Sequence, residues 1–283
     1  VQKRETFNLI YMFIKSLVLG TEVFSGNWGS KISDNLSKKI LLKANQKGIK
    51  ELDTAFSYGK SNKVEKLIGK ILNTHKIQFL VSSKFKINNK KNTYEILKSV
   101  KNQLDKSLKS LKTQKIHTYY FHSGNNNEFF IDEVWKFLED RKKLGDITRL
   151  GLSIKHDLVL ENNLKQIYEA KNYNISVIQT VFNMYSSQSL KKLIPYCKKN
   201  KLEVYARMPL AKGLLTGKYK KNYFFNKNDP RNNSNLTKKI IEFRFLNKNL
   251  TLEKVIKWPL KNTKKIVFSV KNLKQLNQIT NIK

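Results

Sequence analysis

Short apolar runs alternate with longer amphipathic segments along most of this chain. The amphipathic segments repeat apolar residues every three or four positions, as Ile96, Val100, Leu104 and Leu108 do, which is the period of a helix. The apolar runs predict strands over Ser16–Thr21, Gly48–Asp53, Gln78–Lys84, Ile116–His122, Thr148–Ser153, Ser176–Thr180, Leu202–Arg207 and Lys265–Ser269. The segments between them predict helices over Asn35–Gln46, Val64–Leu72, Thr93–Leu111, Glu128–Leu144, Leu158–Lys171 and Gln188–Lys199.

Eight strands that alternate with helices through the chain favour the α/β class and a (β/α)8 TIM barrel. The main rival is an open doubly wound sheet, which usually carries a G-x-G-x-x-G motif after its first strand. The sequence has no such motif. We therefore expect one barrel domain over residues 1–283, with residues 1–15 as an N-terminal extension.

The first residues contain an apolar stretch from Phe7 to Ile14. We do not interpret it as a signal peptide, because Lys15 and a strand-like segment follow where a small-residue cleavage site would be needed. We expect an opening strand or hairpin that covers one end of the fold. The single cysteine, Cys197, and the missing export signal predict a cytoplasmic protein, and no apolar run reaches the ~20 residues of a membrane span.

The segment from Tyr219 to Asn247 interrupts the alternation. It is rich in Asn and contains Asp229-Pro230-Arg231, a composition typical of turns. We expect a loop followed by a helix from about Leu236. In a barrel this would be an insertion after the seventh strand, on the face where active sites are built.

The chain is strongly basic, with 56 Lys and Arg against 21 Asp and Glu and a formal charge of +35. Such a charge suits a nucleic-acid partner. Against that partner, the lysines are scattered in pairs from Lys38-Lys39 to Lys264-Lys265, and no RNA-binding motif accompanies them. We therefore expect no specific nucleic-acid partner, but a field that draws anionic small molecules towards a cleft.

Four residues with chemical potential stand at or just beyond the ends of consecutive predicted strands. Asp53 ends the second strand and Tyr58 follows it, Lys84 ends the third, and His122 ends the fourth. Taken singly, each could be a helix cap, a packed ring, a solvated lysine or a satisfied core histidine. Together they would converge at the mouth of a barrel, because all strand carboxyl ends of this fold meet there.

At this point the chain resembles the aldo-keto reductase family, from about Ser16 to its end. Asp53-Thr54-Ala55-x-x-Tyr58-Gly59 is similar to the most specific motif of that family. Further ordered matches are Leu19-Gly20-Thr21, Glu65 to Gly69, Val81 to Phe85, Tyr119 to His122, Gly145 to Ser153, Gln179 with Asn183, and Pro209 to Tyr219.

The resemblance implies a nicotinamide-dependent reductase of small-molecule carbonyl substrates, with Tyr58 as the general acid. A free phenol titrates near ~10, and a neighbouring ammonium lowers that value. We expect Lys84 to lower the pKa of Tyr58, Asp53 to keep Lys84 charged and oriented, and His122 to hydrogen-bond the carbonyl oxygen.

The resemblance also implies where the cofactor binds. Ser153 and Gln179 would hold the nicotinamide carboxamide, and the opening-strand residues Gly20 and Thr21 belong to the same site. Ser269, Lys271 and Gln275 would hold the adenosine phosphate, and Lys271 as partner of a 2′-phosphate favours NADPH over NADH. Trp28 either walls the substrate pocket or packs on the barrel rim.

Several positions depart from the family pattern. Asp146 and Thr148 stand where Lys and Arg are usual, and Arg207 stands where a small polar residue or an aromatic is usual. The chain ends soon after its last helix begins, so we expect the final helix and any C-terminal substrate loop to be missing. An alternative to the enzyme is a nucleotide-binding redox sensor or regulatory subunit on the same barrel.

Overall fold

A computed structural model describes residues 2–26, 32–87, 92–155, 161–187, 192–227, 229, 231–232 and 234–282. Its eight strands are all parallel and form a closed barrel in chain order, which confirms the predicted (β/α)8 fold. The strands are β1 (Leu17–Gly20), β2 (Glu51–Asp53), β3 (Leu80–Phe85), β4 (Ile116–His122), β5 (Ile147–Ser153), β6 (Ile175–Val181), β7 (Glu203–Arg207) and β8 (Lys265–Phe268).

Helices cover the outside of the barrel. They are α1 (Gln2–Lys15), α2 (Asp34–Gln46), α3 (Lys63–His75), α4 (Thr93–Leu111), α5 (Asn126–Phe129), α6 (Asp132–Lys143), α7 (Glu161–Glu169), α8 (Leu193–Lys199), α9 (Asn235–Leu246), α10 (Leu252–Lys257) and α11 (Leu273–Thr280). Residues 158–160 and 188–191, the first parts of two predicted helices, lie outside the described residues.

The single helix predicted over Glu128–Leu144 is wrong, because α5 and α6 are separate. Asn125 and Glu128 form a capping box that begins the short α5. Ile131 is extended, with φ −100° and ψ 94°, and α6 begins after it. The indole of Trp135 donates to the Phe129 carbonyl at 2.6 Å, which fixes the break between the helices.

The expected opening strand or hairpin is also wrong, because residues 2–15 form the helix α1. The contiguous apolar run looks like a strand in the sequence, but Phe13 and Ile14 are buried in the main core and Ile10 packs against it. The ammonium of Lys257 lies over the Phe13 ring, 5.6 Å from its centroid. Burial of the last turn against the barrel therefore selects the helix.

The expected helix after the seventh strand is present as α9, which begins at Asn235 with Ser234 as its cap. Its side chains Ile240 and Ile241 pack on Leu214 and Leu215, which follow β7. The insertion thus has a small apolar core of its own.

Side chains fill the inside of the barrel in layers. A central cluster of Val18, Tyr120, Val177, Tyr205 and Val267 closes the middle. Towards the amino ends of the strands, charged side chains pair across the barrel, Lys265 with Glu51 and Arg149 with Glu203. Towards the carboxyl ends lie polar side chains, and this mouth is where the candidate site is built.

Candidate active site

The strand alternation explains why the predicted residues meet at the mouth. Side chains two positions apart on a strand point to the same side. His122 is therefore one layer above Tyr120, whose side chain belongs to the central cluster. By the same alternation, Asp53 lies one layer above Glu51, and adjacent β2 and β3 bring Lys84 next to Asp53.

A buried ion pair between Lys84 and Asp53 occupies the mouth. The Lys84 Nζ donates to Asp53 Oδ2 at 2.6 Å, and the Lys84 side chain is 1% exposed. The same ammonium donates to the Thr54 carbonyl at 2.7 Å. Burial lowers the pKa of Lys84, and the ion pair with Asp53 acts in the opposite direction.

Tyr58 reaches this pair from the turn after β2. Its backbone N–H donates to the Ala55 carbonyl at 3.0 Å, which folds the loop back over the mouth. The Lys84 Nζ donates to the Tyr58 Oη at 3.5 Å, and the Tyr58 ring meets the His122 ring edge-on, with 6.0 Å between centroids. The structure thus brings together all four residues predicted to be catalytic.

The expected lowering of the Tyr58 pKa is wrong for this structure. Burial raises the pKa of Tyr58 well above its ordinary value, and the charges of Asp53 and Glu22 raise it further. Arg207 acts in the opposite direction but is outweighed. Tyr58 is therefore a protonated phenol at neutral pH, the form that can donate a proton.

His122 is a neutral imidazole at neutral pH. Burial, followed by the charges of Lys84, Lys86 and Arg207, lowers its pKa well below the ordinary value. Its Nδ1 is buried and has no hydrogen-bond partner among the described residues. A proton on Nδ1 would be buried without an acceptor, so the tautomer with the proton on Nε2 is favoured.

A chain of hydrogen bonds links the ion pair to the two residues expected at a carboxamide. The amide of Gln179 donates to Asp53 Oδ1 at 2.9 Å, and Ser153 Oγ donates to Gln179 Oε1 at 3.2 Å. Both side chains are buried, at 1% exposure. Ser153 and Gln179 therefore belong to the same polar layer as Asp53 and Lys84.

Two further predicted residues have structural contacts at the mouth. The Thr21 hydroxyl is buried and donates to the Asp53 carbonyl at 3.0 Å, so it joins β1 to β2. A Cβ at Gly20 would lie 2.8 Å from Ser269 Oγ, so a larger residue in β1 would force the end of β8 or this hydroxyl to shift. Ser269 itself is exposed.

The residues expected at the adenosine phosphate lie at the start of α11. The backbone N–H of Lys271 donates to Gln275 Oε1 at 2.7 Å, and the side chain of Asn272 caps the helix. Burial lowers the pKa of Lys271, and the nearby cations Arg231 and Lys218 act in the same direction. Basic side chains from the loops after β7 and β8 thus gather at the N-terminus of a helix.

Sequence reasoning missed Arg231, which the insertion holds in this cluster. Asp229 accepts from the Arg231 Nη2 at 2.6 Å, and Tyr219 Oη accepts from Nη1 at 2.7 Å. The guanidinium lies over the Phe225 ring, 4.5 Å from its centroid. The Asp-Pro-Arg turn was the only signal, and a turn composition does not reveal which side chains it buries.

Sequence reasoning also missed the buried network behind the lysine strand. The Glu65 carboxylate accepts from Ser83, from Ser107 at 3.0 Å and from Asn62 at 3.3 Å. Burial raises its pKa. This network ties α3 and α4 to β3, next to Lys84.

Trp28, predicted at the substrate pocket, lies outside the described residues.

The described residues contain neither a metal-binding cluster nor a membrane-spanning helix. Within them, His, Cys, Asp and Glu side chains form no cluster of three or more that could hold a metal ion. In the same part of the chain, every helix is too short or too polar to cross a membrane.

Comparison with known proteins agrees with this fold. The structure of the glycerol dehydrogenase from Gluconobacter oxydans superposes with a TM-score of 0.77, at 21% identity, over 94% of this chain and 86% of that one. The model of the aldo/keto reductase family matches residues 16–282. The chain belongs to the aldo/keto reductase family.

The matches to curated relatives extend over only part of each relative. The aldo-keto reductase YhdN of Bacillus subtilis is 25% identical over 76% of this chain and 64% of its own length. The aflatoxin B1 aldehyde reductase member 2 of Rattus norvegicus is 28% identical over 71% of this chain and 54% of its own length. The chain thus spans less than two thirds of the length of these relatives.

The lowered pKa of His122 makes stability depend on pH. Below the ordinary value of 6.5, the unfolded chain binds a proton that folded His122 does not, so the free energy of unfolding falls as the pH falls. When the pH is lowered from about 7.5 to about 5.5, we expect the free energy of unfolding of the wild type to fall by ~1 kcal/mol more than that of His122→Gln. Urea unfolding at the two pH values measures both changes.

The matched control is His75→Gln, which changes an exposed histidine at the end of α3. It should lose stability with falling pH as the wild type does. A His122→Gln variant that also followed the wild type would contradict the neutral, buried imidazole.

Proposed function

We propose that this chain reduces the carbonyl group of an aldehyde or ketone, with NADPH as the hydride donor and Tyr58 as the general acid. NADH is the alternative hydride donor. The single observation that carries the proposal is the Lys84 ammonium, which bonds Asp53 at 2.6 Å and Tyr58 Oη at 3.5 Å inside the barrel mouth. The family supports a nicotinamide-dependent oxidoreductase in general.

The donor set of this mouth fits a nicotinamide dinucleotide. A carboxamide needs both an acceptor and a donor, and Ser153 and Gln179 offer a hydroxyl and an amide side by side. Phosphates favour cations and helix N-termini, and Lys271 and Arg231 lie near the start of α11. Gly20 and Ser269 would lie between these two ends, where β1 meets β8.

The residues of the chain account for the proton and for the orientation of the substrate. A bound nicotinamide cofactor would supply the hydride to the carbonyl carbon. His122 would donate from Nε2 to the carbonyl oxygen and so orient and polarise it. Tyr58 would transfer its phenolic proton to that oxygen as negative charge develops there.

Lys84 would act on the phenolate that remains on Tyr58. An ammonium within hydrogen-bond distance stabilises this anion, and the Asp53 carboxylate keeps the ammonium charged in a buried position. The raised pKa of Tyr58 keeps the proton in place until the oxygen of the substrate needs it. This arrangement favours the direction of reduction.

A preference for NADPH rests on Lys271. Besides burial, the charges of Arg231 and Lys218 act on its ammonium and lower its pKa, whereas Asp229 acts in the opposite direction. A 2′-phosphate would be attracted by these cations, and NADH has no such group. A cytoplasmic location and a single barrel domain remain predictions.

Tyr58→Phe tests the general acid. The variant keeps the ring and removes only the hydroxyl, so we expect NADPH oxidation with a panel of aldehydes and ketones to fall by at least ~100-fold. NADPH binding, followed by its fluorescence, should stay within a few-fold of the wild type. Tyr94→Phe, at an exposed position of α4, is the matched control and should be fully active.

Turnover in Tyr58→Phe close to that of the wild type would reject Tyr58 as the acid. Tight NADPH binding by the wild type without turnover of any carbonyl would favour the redox sensor instead of the enzyme.

Lys271→Met tests the cofactor preference. Loss of one ammonium from a phosphate site is expected to reduce the ratio of NADPH to NADH affinity about tenfold, with NADH affinity nearly unchanged. Lys274→Met, which changes the exposed second residue of α11, is the control. Equal losses for both cofactors, or none, would remove Lys271 from the 2′-phosphate site.

A further inference from the structure

Arg207 places a second cation in the polar layer of the mouth. It ends β7, two residues after Tyr205, so its side chain lies one layer above the central cluster. Its backbone is in register with Val181 of β6 and Val267 of β8. Arg207 thus belongs to the same layer as Asp53, Lys84 and Gln179.

The guanidinium extends from β7 across the end of β6 to β5. Its Nη2 donates to the Ile154 carbonyl at 3.1 Å, and Ile154 directly follows Ser153. Its Nη1 contacts the Met208 sulfur at 3.6 Å. The cation is therefore held beside the two residues that the proposed function assigns to the carboxamide, Ser153 and Gln179.

The charge of Arg207 is not neutralised at close range. Within the described residues, no carboxylate lies at ion-pair distance, and Asp53 and Glu22 act on it only from further away. Its Nε is buried and has no hydrogen-bond partner in that part of the chain. A guanidinium stays protonated in proteins, so this is a fixed positive charge.

We infer that Arg207 makes the nicotinamide site prefer the reduced cofactor over the oxidised one. The inference rests on the proposed function. The oxidised nicotinamide ring carries a positive charge that the reduced ring lacks, and the two forms are otherwise nearly equal in shape. A fixed cation beside the ring therefore repels only the oxidised form, and a partly buried site screens this repulsion weakly.

The consequence concerns substrate turnover as well as binding. Once the nicotinamide ring has given up its hydride, it would carry a positive charge next to the Arg207 guanidinium. The oxidised cofactor would therefore be released faster than from a site with a neutral residue at position 207. Arg207 is in this account a specificity-determining residue, selective for the redox state of the cofactor.

The test compares the dissociation constants of NADPH and NADP⁺ for the wild type, Arg207→Met and Arg207→Lys. Calorimetry measures both nucleotides without any substrate or turnover. We expect the wild type to bind NADPH more tightly, and Arg207→Met to reduce the ratio of the two affinities about tenfold, mainly by tighter binding of NADP⁺. Arg207→Lys keeps the charge and should keep most of the preference.

Far-UV circular dichroism establishes that each variant is folded, and Lys109→Met, at an exposed position of α4, serves as a control for a distant surface charge. An affinity ratio in Arg207→Met equal to that of the wild type would overturn the inference while leaving the proposed function intact. Failure of the wild type to bind either nucleotide would overturn both.

Discussion

The buried ion pair between Lys84 and Asp53 is the interaction on which the mouth of this barrel depends. Taking an ammonium and a carboxylate out of water costs several kcal/mol each, and only close pairing with further hydrogen bonds offsets that cost. The structure supplies those bonds from the Thr54 carbonyl, the Gln179 amide and the Tyr58 hydroxyl. The residues expected to do chemistry are therefore the same residues that satisfy the buried charges.

The rest of the barrel makes this pair possible. The central cluster separates two polar layers. Ion pairs lie near the amino ends of the strands, and the side chains of the candidate site lie at the carboxyl ends. The parallel register of β2 and β3 sets Asp53 beside the lysine strand, and the Glu65 network holds that strand from behind. Arg207 adds a charge to this layer that has no close carboxylate of its own.

The sequence predicted the barrel and the four residues at its mouth because both depend on local signals. Strand periods and an ordered set of motifs can be seen without knowing what packs on what. It did not predict α1, whose apolar run becomes helical by packing on the barrel, nor the direction of the Tyr58 pKa, which burial decides. Arg207 stood out only as an unusual residue, since its contacts with the end of β5 arise from barrel closure.

The central claim is that the mouth of the barrel depends on the ion pair between Lys84 and Asp53. A double-mutant cycle of Asp53→Asn and Lys84→Met, measured as free energies of unfolding in urea, tests this claim most directly. Each single change leaves one buried charge without its partner and should cost about 3–5 kcal/mol, whereas the double variant should cost no more than either one. Single variants that lose little stability, or losses that simply add in the double variant, would contradict the central role of the pair.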